Sequence, residues 1–214
     1  TPVTPTTAAD DHGSRYLEAT TLTVDGASPG ALERVGDEDW FSFPAQAGWV
    51  YVVTATPGSL SDPFLRLVDT DGAARIITDE DGGDGEAARI EWVALADGTY
   101  YVSAGAGDEG TTGTYNLAIT GRSDDHGSEA EAASTAAVGS TLSGELEAIG
   151  DDDWFAFAAQ AGSVYSITTG LGTLADSYLT LSEPDGATRL RVDDDGGEGQ
   201  ASRIEWVAPA SATY

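Results

Sequence analysis

A chain of 214 residues that is 40% hydrophobic has enough apolar material for one large or two ordinary cores, and no stretch of it approaches the roughly 20 apolar residues of a spanning helix. Its 37 Asp and Glu against 9 Lys and Arg leave a formal charge of -28, a field that repels phosphate backbones and anionic lipid, so nucleic acid and membrane insertion are poor expectations and cations are the natural ligands. With no Cys, disulfides and thiolate metal sites are excluded.

The chain opens with "TPVTPTTAA", residues 1–9, a Thr/Pro-rich stretch with nothing to bury that reads as a linker from a larger protein. From Asp10 onward the sequence repeats itself. "DDHGS" recurs at 10–14 and 124–128, "AQAG" at 45–48 and 159–162, and "RIEWVA" at 89–94 and 203–208, at an offset of 114 residues held without a gap from Asp10/Asp124 to Tyr100/Tyr214. A unit this long is a domain. The expected organisation is therefore a linker over 1–9, repeat 1 over 10–121 and repeat 2 over 122–214.

Within repeat 1, short β-branched and aromatic runs are cut by Gly, Asp and Pro, the pattern of a sandwich or barrel. Strands are predicted near 16–24, 30–35, 39–44, 48–56, 63–69, 73–79, 87–94, 98–105 and 113–120. In "TYNLAIT" the alternation puts Tyr115, Leu117 and Ile119 on one face, and "DTDGA" at 69–73 reads as a hairpin turn with Gly72 at positive φ. "GTYYV" and "GTYNL" each place a Tyr after a Gly-Thr bend, as tyrosine corners do. The expected fold is all-β: two tandem antiparallel, jelly-roll-like β-sandwiches. Repeat 2 has no counterpart of residues 101–120 before its last residue, Tyr214, so it is expected to lack its last strands. A shortened chain is the preferred explanation; proteolysis, or a strand given by a neighbouring chain, are the others.

Acids gather at strand ends in both repeats: Asp10-Asp11 and Asp124-Asp125; Asp37-Glu38-Asp39 and Asp151-Asp152-Asp153; "DEDGGDGE" at 79–86 and "DDDGGEGQ" at 193–200. Crowded carboxylates repel by about 1 to 4 kcal/mol per pair, a cost that a hard divalent cation removes. Calcium suits them because it takes six to eight or so oxygens in flexible geometry. Asp79 and Asp81 can coordinate together around the Gly82-Gly83 turn, although the segment matches neither an EF-hand loop nor a β-roll repeat. The alternative is a solvated acidic hairpin.

"Asp11-His12-Gly13-Ser14" names the members of a triad but not its geometry, because adjacent residues cannot point their side chains at one another as a triad requires. His12 and His126 are expected to pack or hydrogen-bond locally, and no enzyme activity is expected. Trp40, Trp92, Trp154 and Trp206 occupy strands in both repeats and are expected in the core. Trp49, replaced by Ser163 in repeat 2, is a candidate ligand-binding aromatic.

Taken in order, "GDEDWFSFPAQAGWVYVVTAT", "SLSDPFLRLVDTDGAARIITDEDGG" and "GTYYVSAGAGDEGTTGTYNLAI" resemble the bacterial pre-peptidase C-terminal domain, a β-sandwich module appended to secreted proteases. More distantly, the chain is similar to the collagen-binding domains of clostridial collagenases, in which calcium is held between the N-terminal linker and loops of the sandwich. That resemblance implies Asp10 and Asp11 as linker-side ligands and Asp37, Asp39, Asp79 and Asp81 as loop-side ligands, with Asp124, Asp125, Asp151, Asp153, Asp193 and Asp195 in the same roles in repeat 2. Glu80 stands where Asp194 does, and Asp84 where Glu198 does. The expected function is a non-catalytic, calcium-binding accessory or adhesion module of a larger secreted or cell-surface protein, whose partners are calcium, neighbouring domains, and a polysaccharide or extracellular protein. A structural repeat of a filament or surface layer, completed by a neighbouring chain's strand, and a carbohydrate-binding module are the alternatives.

Overall fold

The structure is a computed structural model in which residues 9–108, 110–148 and 150–214 are described; the expected linker at 1–9 therefore lies, apart from Ala9, outside them. The chain divides into two compact units, the first running to Asp124 and taking in Leu146–Asp151, the second comprising Asp125–Glu145 and Asp152–Tyr214.

Among the described residues the first unit is a β-sandwich of nine strands: β1 (Thr20–Thr21), β2 (Gly26–Leu32), β3 (Asp39–Ala45), β4 (Trp49–Pro57), β5 (Pro63–Val68), β6 (Arg75–Asp79), β7 (Ala88–Ala94), β8 (Gly98–Ala106) and β9 (Gly113–Ser123). One sheet has the order β1-β3-β8-β5-β6 and the other β2-β9-β4-β7. Successive strands mostly change sheet, the jelly-roll habit. Pairing is antiparallel except between β1 and β3, which run parallel at one edge.

Strand alternation sends Phe41 and Phe43 from β3, Tyr51, Val53 and Ala55 from β4, Leu65 and Leu67 from β5, and Tyr115, Leu117 and Ile119 from β9 into one core. Phe43, Tyr51, Trp92 and Tyr100 form a chain of ring contacts through it at centroid distances of 5.5, 6.1 and 4.6 Å. Tyr100 Oη donates to the Ala96 carbonyl at 3.2 Å, in the manner expected of a tyrosine corner. The 69–73 turn is as expected, with Gly72 at φ +70° and Asp69 accepting from the Gly72 amide.

Two strand expectations are corrected. Residues 16–24 form a 3-10 turn, Tyr16–Glu18, followed by only the short β1, because the Glu18 and Ala19 amides bond back to the Arg15 and Tyr16 carbonyls. The strand expected at 30–35 runs instead over Gly26–Leu32, where it pairs with β9. Pro29 in its middle is tolerated because β2 is an edge strand and its missing N–H costs no ladder bond. Trp40 also differs from expectation: although buried, it lies on the face of β3 opposite Phe41 and Phe43, outside the core cluster, with Tyr16 6.4 Å away.

In the second unit the strands pair only in twos: β10 (Ser134–Thr135) with β11 (Phe155–Ala156), β12 (Ala158–Ala159) with β17 (Ala212–Thr213), β13 (Val164–Thr168) with β16 (Arg203–Val207), and β14 (Leu179–Ser182) with β15 (Arg189–Asp193). Ala159, Leu181, Ile204, Trp206 and Ala208 are its buried centre, flanked by Phe157, Tyr165, Ile167 and Tyr214. The ring contacts of the first unit recur here as Phe157–Tyr165, Tyr165–Trp206 and Trp206–Tyr214. Trp154, by contrast, is half-buried and outside this cluster.

Candidate metal centre

Asp39 opens β3 in phase with Phe41 and Phe43, so its side chain points inward at the rim of the sandwich and is fully buried. Tyr115, inward-facing on β9 of the other sheet, reaches across and donates from its hydroxyl to Asp39 Oδ2 at 2.7 Å. The reach is possible because Tyr115 lies opposite Gly30 of β2, where a Cβ would collide with the phenol ring. Asp39 Oδ1 is buried and has no hydrogen-bond partner.

Other carboxylates converge on this rim. Asp10, Asp37 and Asp39 each offer an oxygen within 4.8 Å of the others, and so do Asp10, Asp11 and Glu33. The chain reaches the rim because the Trp40 amide bonds the Gly13 carbonyl at 3.0 Å, laying residues 10–13 beside the start of β3. His12 fastens the same segment. Its Nε2 lies 2.9 Å from the Pro29 carbonyl, which can only accept, so Nε2 donates; Nδ1 lies 2.8 Å from Thr20 Oγ1, and the ring packs 4.5 Å from Phe41. His126 repeats these contacts with Ser143, Ser134 and Phe155. Both histidines have the local packing role expected from the sequence.

The Asp37 carboxylate is held from both ends, accepting from the Glu33 amide at Oδ2 (3.1 Å) and pairing through Oδ1 with Arg34 at 2.9 Å. Arg34 also reaches Asp10 Oδ2 at 3.4 Å, and Ser14 donates to the same oxygen at 3.1 Å. One guanidinium thus pairs with two of the rim's acids, Asp10 and Asp37. Glu33 Oε2, like Asp39 Oδ1, is buried with no hydrogen-bond partner.

Burial pushes the Asp39 carboxyl up to about 7, with Asp11 and Asp37 adding to the rise and the Tyr115 hydrogen bond and His12 opposing it. Glu33 is raised as well, by burial first and then by Asp11. Orphaned buried oxygens and carboxyl groups that resist ionising fit a hard, oxygen-seeking cation.

The sign of the linkage is opposite to that of a salt-bridged acid. Between about pH 4 and pH 7 the folded, ion-free protein holds a proton on Asp39 that the unfolded chain has released, so stability declines as pH rises through that window, by up to about 4 kcal/mol from this group. Urea unfolding in chelator at pH 4.5 and pH 7.5 is the check; greater stability at the higher pH would contradict it.

In the second repeat, Asp124, Glu147 and Asp151 again offer oxygens within 4.8 Å of one another, and Asp151 Oδ2 accepts from the Glu147 amide at 2.8 Å as Asp37 does from Glu33. Ala148 replaces Arg34 there. Asp125 is exposed and Asp153 half-buried. The Trp154 amide bonds the Gly127 carbonyl, reproducing the Trp40–Gly13 tie.

The third acidic segment behaves otherwise. Asp79 does not join the rim: its Oδ2 accepts from the Gly82 and Arg89 amides at 2.8 and 2.7 Å and shapes the β6–β7 turn, as Asp193 does for Gly196 and Arg203. Asp81 groups instead with Asp62 and Glu86, and Asp62 is raised by burial and by Glu80 and Asp81. In the second unit Asp195 is exposed, and Gln200, standing for Glu86, donates to Asp176 at 3.4 Å. Trp49 is half-buried and packs against the core cluster. Glu33 and Asp62 escape a reading by acidic runs because each is a single acid, in "LERV" and "SDPF"; the recurrence of Glu33 as Glu147 is the signal that could have found it.

Both units are all-β, and the rim of the first gathers Asp10, Asp11, Glu33, Asp37 and Asp39, of which Asp37 and Asp39 are buried and Asp10 and Asp11 exposed. Two solved structures similar to the chain are the pre-peptidase C-terminal domain of a collagenase from Bacillus anthracis, at 20% identity and TM-score 0.40 over 48% of this chain and 95% of that one, and PliG, a periplasmic inhibitor of g-type lysozyme from Aeromonas hydrophila, at 18% identity and TM-score 0.37 over 49% and 97%. The first is a domain of the family that the motifs resemble. No family model matches the chain, and no curated protein matches it. Among the described residues no helix is long and apolar enough to cross a membrane.

Proposed function

We propose that the chain is a non-catalytic module of a larger secreted or cell-surface protein, a tandem β-sandwich in which calcium stiffens the rim formed by Asp10, Asp11, Glu33, Asp37 and Asp39. The observation that carries this reading is the pair of buried, partnerless carboxylate oxygens, Glu33 Oε2 and Asp39 Oδ1, among five acids drawn from three segments of chain. Leaving such oxygens buried and unpaired is costly, and a cation bound between them would recover that cost. Calcium suits the site better than magnesium, because carboxylates of unequal reach and burial do not make a tight octahedron. Asp124, Glu147 and Asp151, whose oxygens lie within 4.8 Å of one another, are the corresponding ligands at the start of repeat 2. The non-catalytic reading is supported by both histidines being committed to structural contacts.

Calorimetric titration of chelator-stripped protein is the test. Calcium is expected to bind saturably, at least about tenfold more tightly than magnesium; equal, weak binding of both, matched by sodium chloride at the same ionic strength, would reduce the rim to a solvated acidic surface.

A further inference from the structure

Resting on the calcium reading of the rim, we infer that Arg34 is a tethered cation that holds the ion's place in the first unit and has to leave before calcium binds, so that the rim is gated by its own side chain. One atom does this. Arg34 Nη2 lies 2.9 Å from Asp37 Oδ1, 3.4 Å from Asp10 Oδ2 and 3.0 Å from Ser14 Oγ, which sets a single cationic nitrogen among three oxygens.

The conflict with an incoming ion is direct. Asp10, Asp37 and Asp39 are a triad whose oxygens lie within 4.8 Å of one another, and Arg34 contacts two of the three. Asp37 Oδ2 already accepts from the Glu33 amide, which leaves Oδ1, the oxygen facing Arg34, as the one an ion can take without breaking a backbone bond. Asp10 Oδ2 is likewise shared between Ser14 and Arg34. Like charges a few ångströms apart repel strongly where water is excluded, and the Asp37 side chain is fully buried, so a guanidinium and a divalent ion cannot share its Oδ1.

The same contacts leave Arg34 free to let go. Its approach to Asp37 Oδ1 is close but lacks the alignment of a hydrogen bond, since no such bond reaches that buried oxygen. It uses one nitrogen where arginine's firmest grip on a carboxylate uses two. The side chain is 56% exposed, so the guanidinium can swing into solvent without disturbing the core, and ion pairs this exposed are weak. Tethering compensates for the weak contact. Arg34 stands three residues from Asp37, and a group held that near competes at an effective concentration on the order of millimolar or above. The second repeat has Ala148 at this position, so substitutions at 34 address the first rim.

Calorimetric titration of calcium into the chelator-stripped whole chain tests this, with wild type beside Arg34→Gln, Arg34→Lys and the double variant Arg34→Gln/Asp39→Asn. Arg34→Gln is expected to bind calcium at the first rim at least about tenfold more tightly, because even in bulk water a single charge about 4 Å from a divalent ion opposes it by more than that. In chelator the same variant should show a lower Tm for the first unit, having lost its resident cation. Arg34→Lys keeps the charge and can place one nitrogen in the same spot, so its affinity should stay within about threefold of wild type. Adding Asp39→Asn to Arg34→Gln should cancel the gain, which assigns it to this rim. Unchanged or weaker binding in Arg34→Gln would overturn the inference while leaving the rim a calcium site, with Arg34 merely positioning its ligands. Equal gains in the Gln and Lys variants would overturn it by tracing the effect to shape, and a gain that survives Asp39→Asn would do so by placing it elsewhere. If neither wild type nor Arg34→Gln binds calcium, the calcium reading of the rim falls, and the inference with it.

Discussion

Asp39→Asn is expected to remove most of the calcium-dependent rise in the first unit's Tm while leaving the calcium-free protein at pH 7.5 as stable as the wild type or more so. The two effects have one cause. Without an ion the buried Asp39 carboxyl must either hold a proton, which its raised value of about 7 makes costly above neutrality, or bury a charge. The amide of Asn carries no charge, has the same shape, and can still accept from the Tyr115 hydroxyl through its carbonyl oxygen. With calcium at about 100 times its dissociation constant the wild-type unit should gain roughly 2.7 kcal/mol, several degrees for a domain of this size, and the variant should lose most of that gain with the charged ligand. A residue that merely packs would lower stability in both conditions. Differential scanning calorimetry with calcium and with chelator decides the matter: an undiminished calcium shift in Asp39→Asn would remove this carboxylate from the site.

The second large effect is an asymmetry between equivalent core positions. Phe43→Ala is expected to destabilise the first unit by about 3 to 5 kcal/mol, because Phe43 is fully enclosed and packs on Tyr51 at 5.5 Å. Phe157→Ala, at the same position and with the same 5.5 Å contact to Tyr165, should cost the second unit visibly less, since Phe157 is only partly buried. Calorimetry of both variants, with the transitions of the two units assigned, is the check; equal losses would show that the second unit is as closed as the first.

These effects trace to features that the sequence shows to different degrees. Strands with strong alternation, such as the one carrying Tyr115, Leu117 and Ile119, were legible because a one-residue slip would turn every apolar side chain outward. The strand Gly26–Leu32 was harder to place: its Gly, Ser and Pro look like turn residues, and its pairing with β9 is a tertiary fact. At the site, Asp10, Asp11, Asp37 and Asp39 stood out as runs and do converge, whereas Asp79, equally prominent, has its oxygen taken by two backbone amides. Glu33 went unseen because a single acid after a Leu gives no hint that the next loop folds back over it. Trp40 shows the same limit from the apolar side. Adjacent to Phe41, it had to face the other way, and Tyr16 covers it there.

The bond between Tyr115 and Asp39 spans 76 residues of sequence and joins the first strand of the acidic rim to the last strand of the sandwich. During folding the rim therefore cannot reach its final geometry until this long-range contact has formed, and topologies dominated by such non-local pairings fold slowly. On the reading proposed above, an ion that recognises only the finished rim contributes little to the folding transition state. It acts chiefly by slowing escape from the native basin, so calcium would govern how long the module persists far more than how fast it forms.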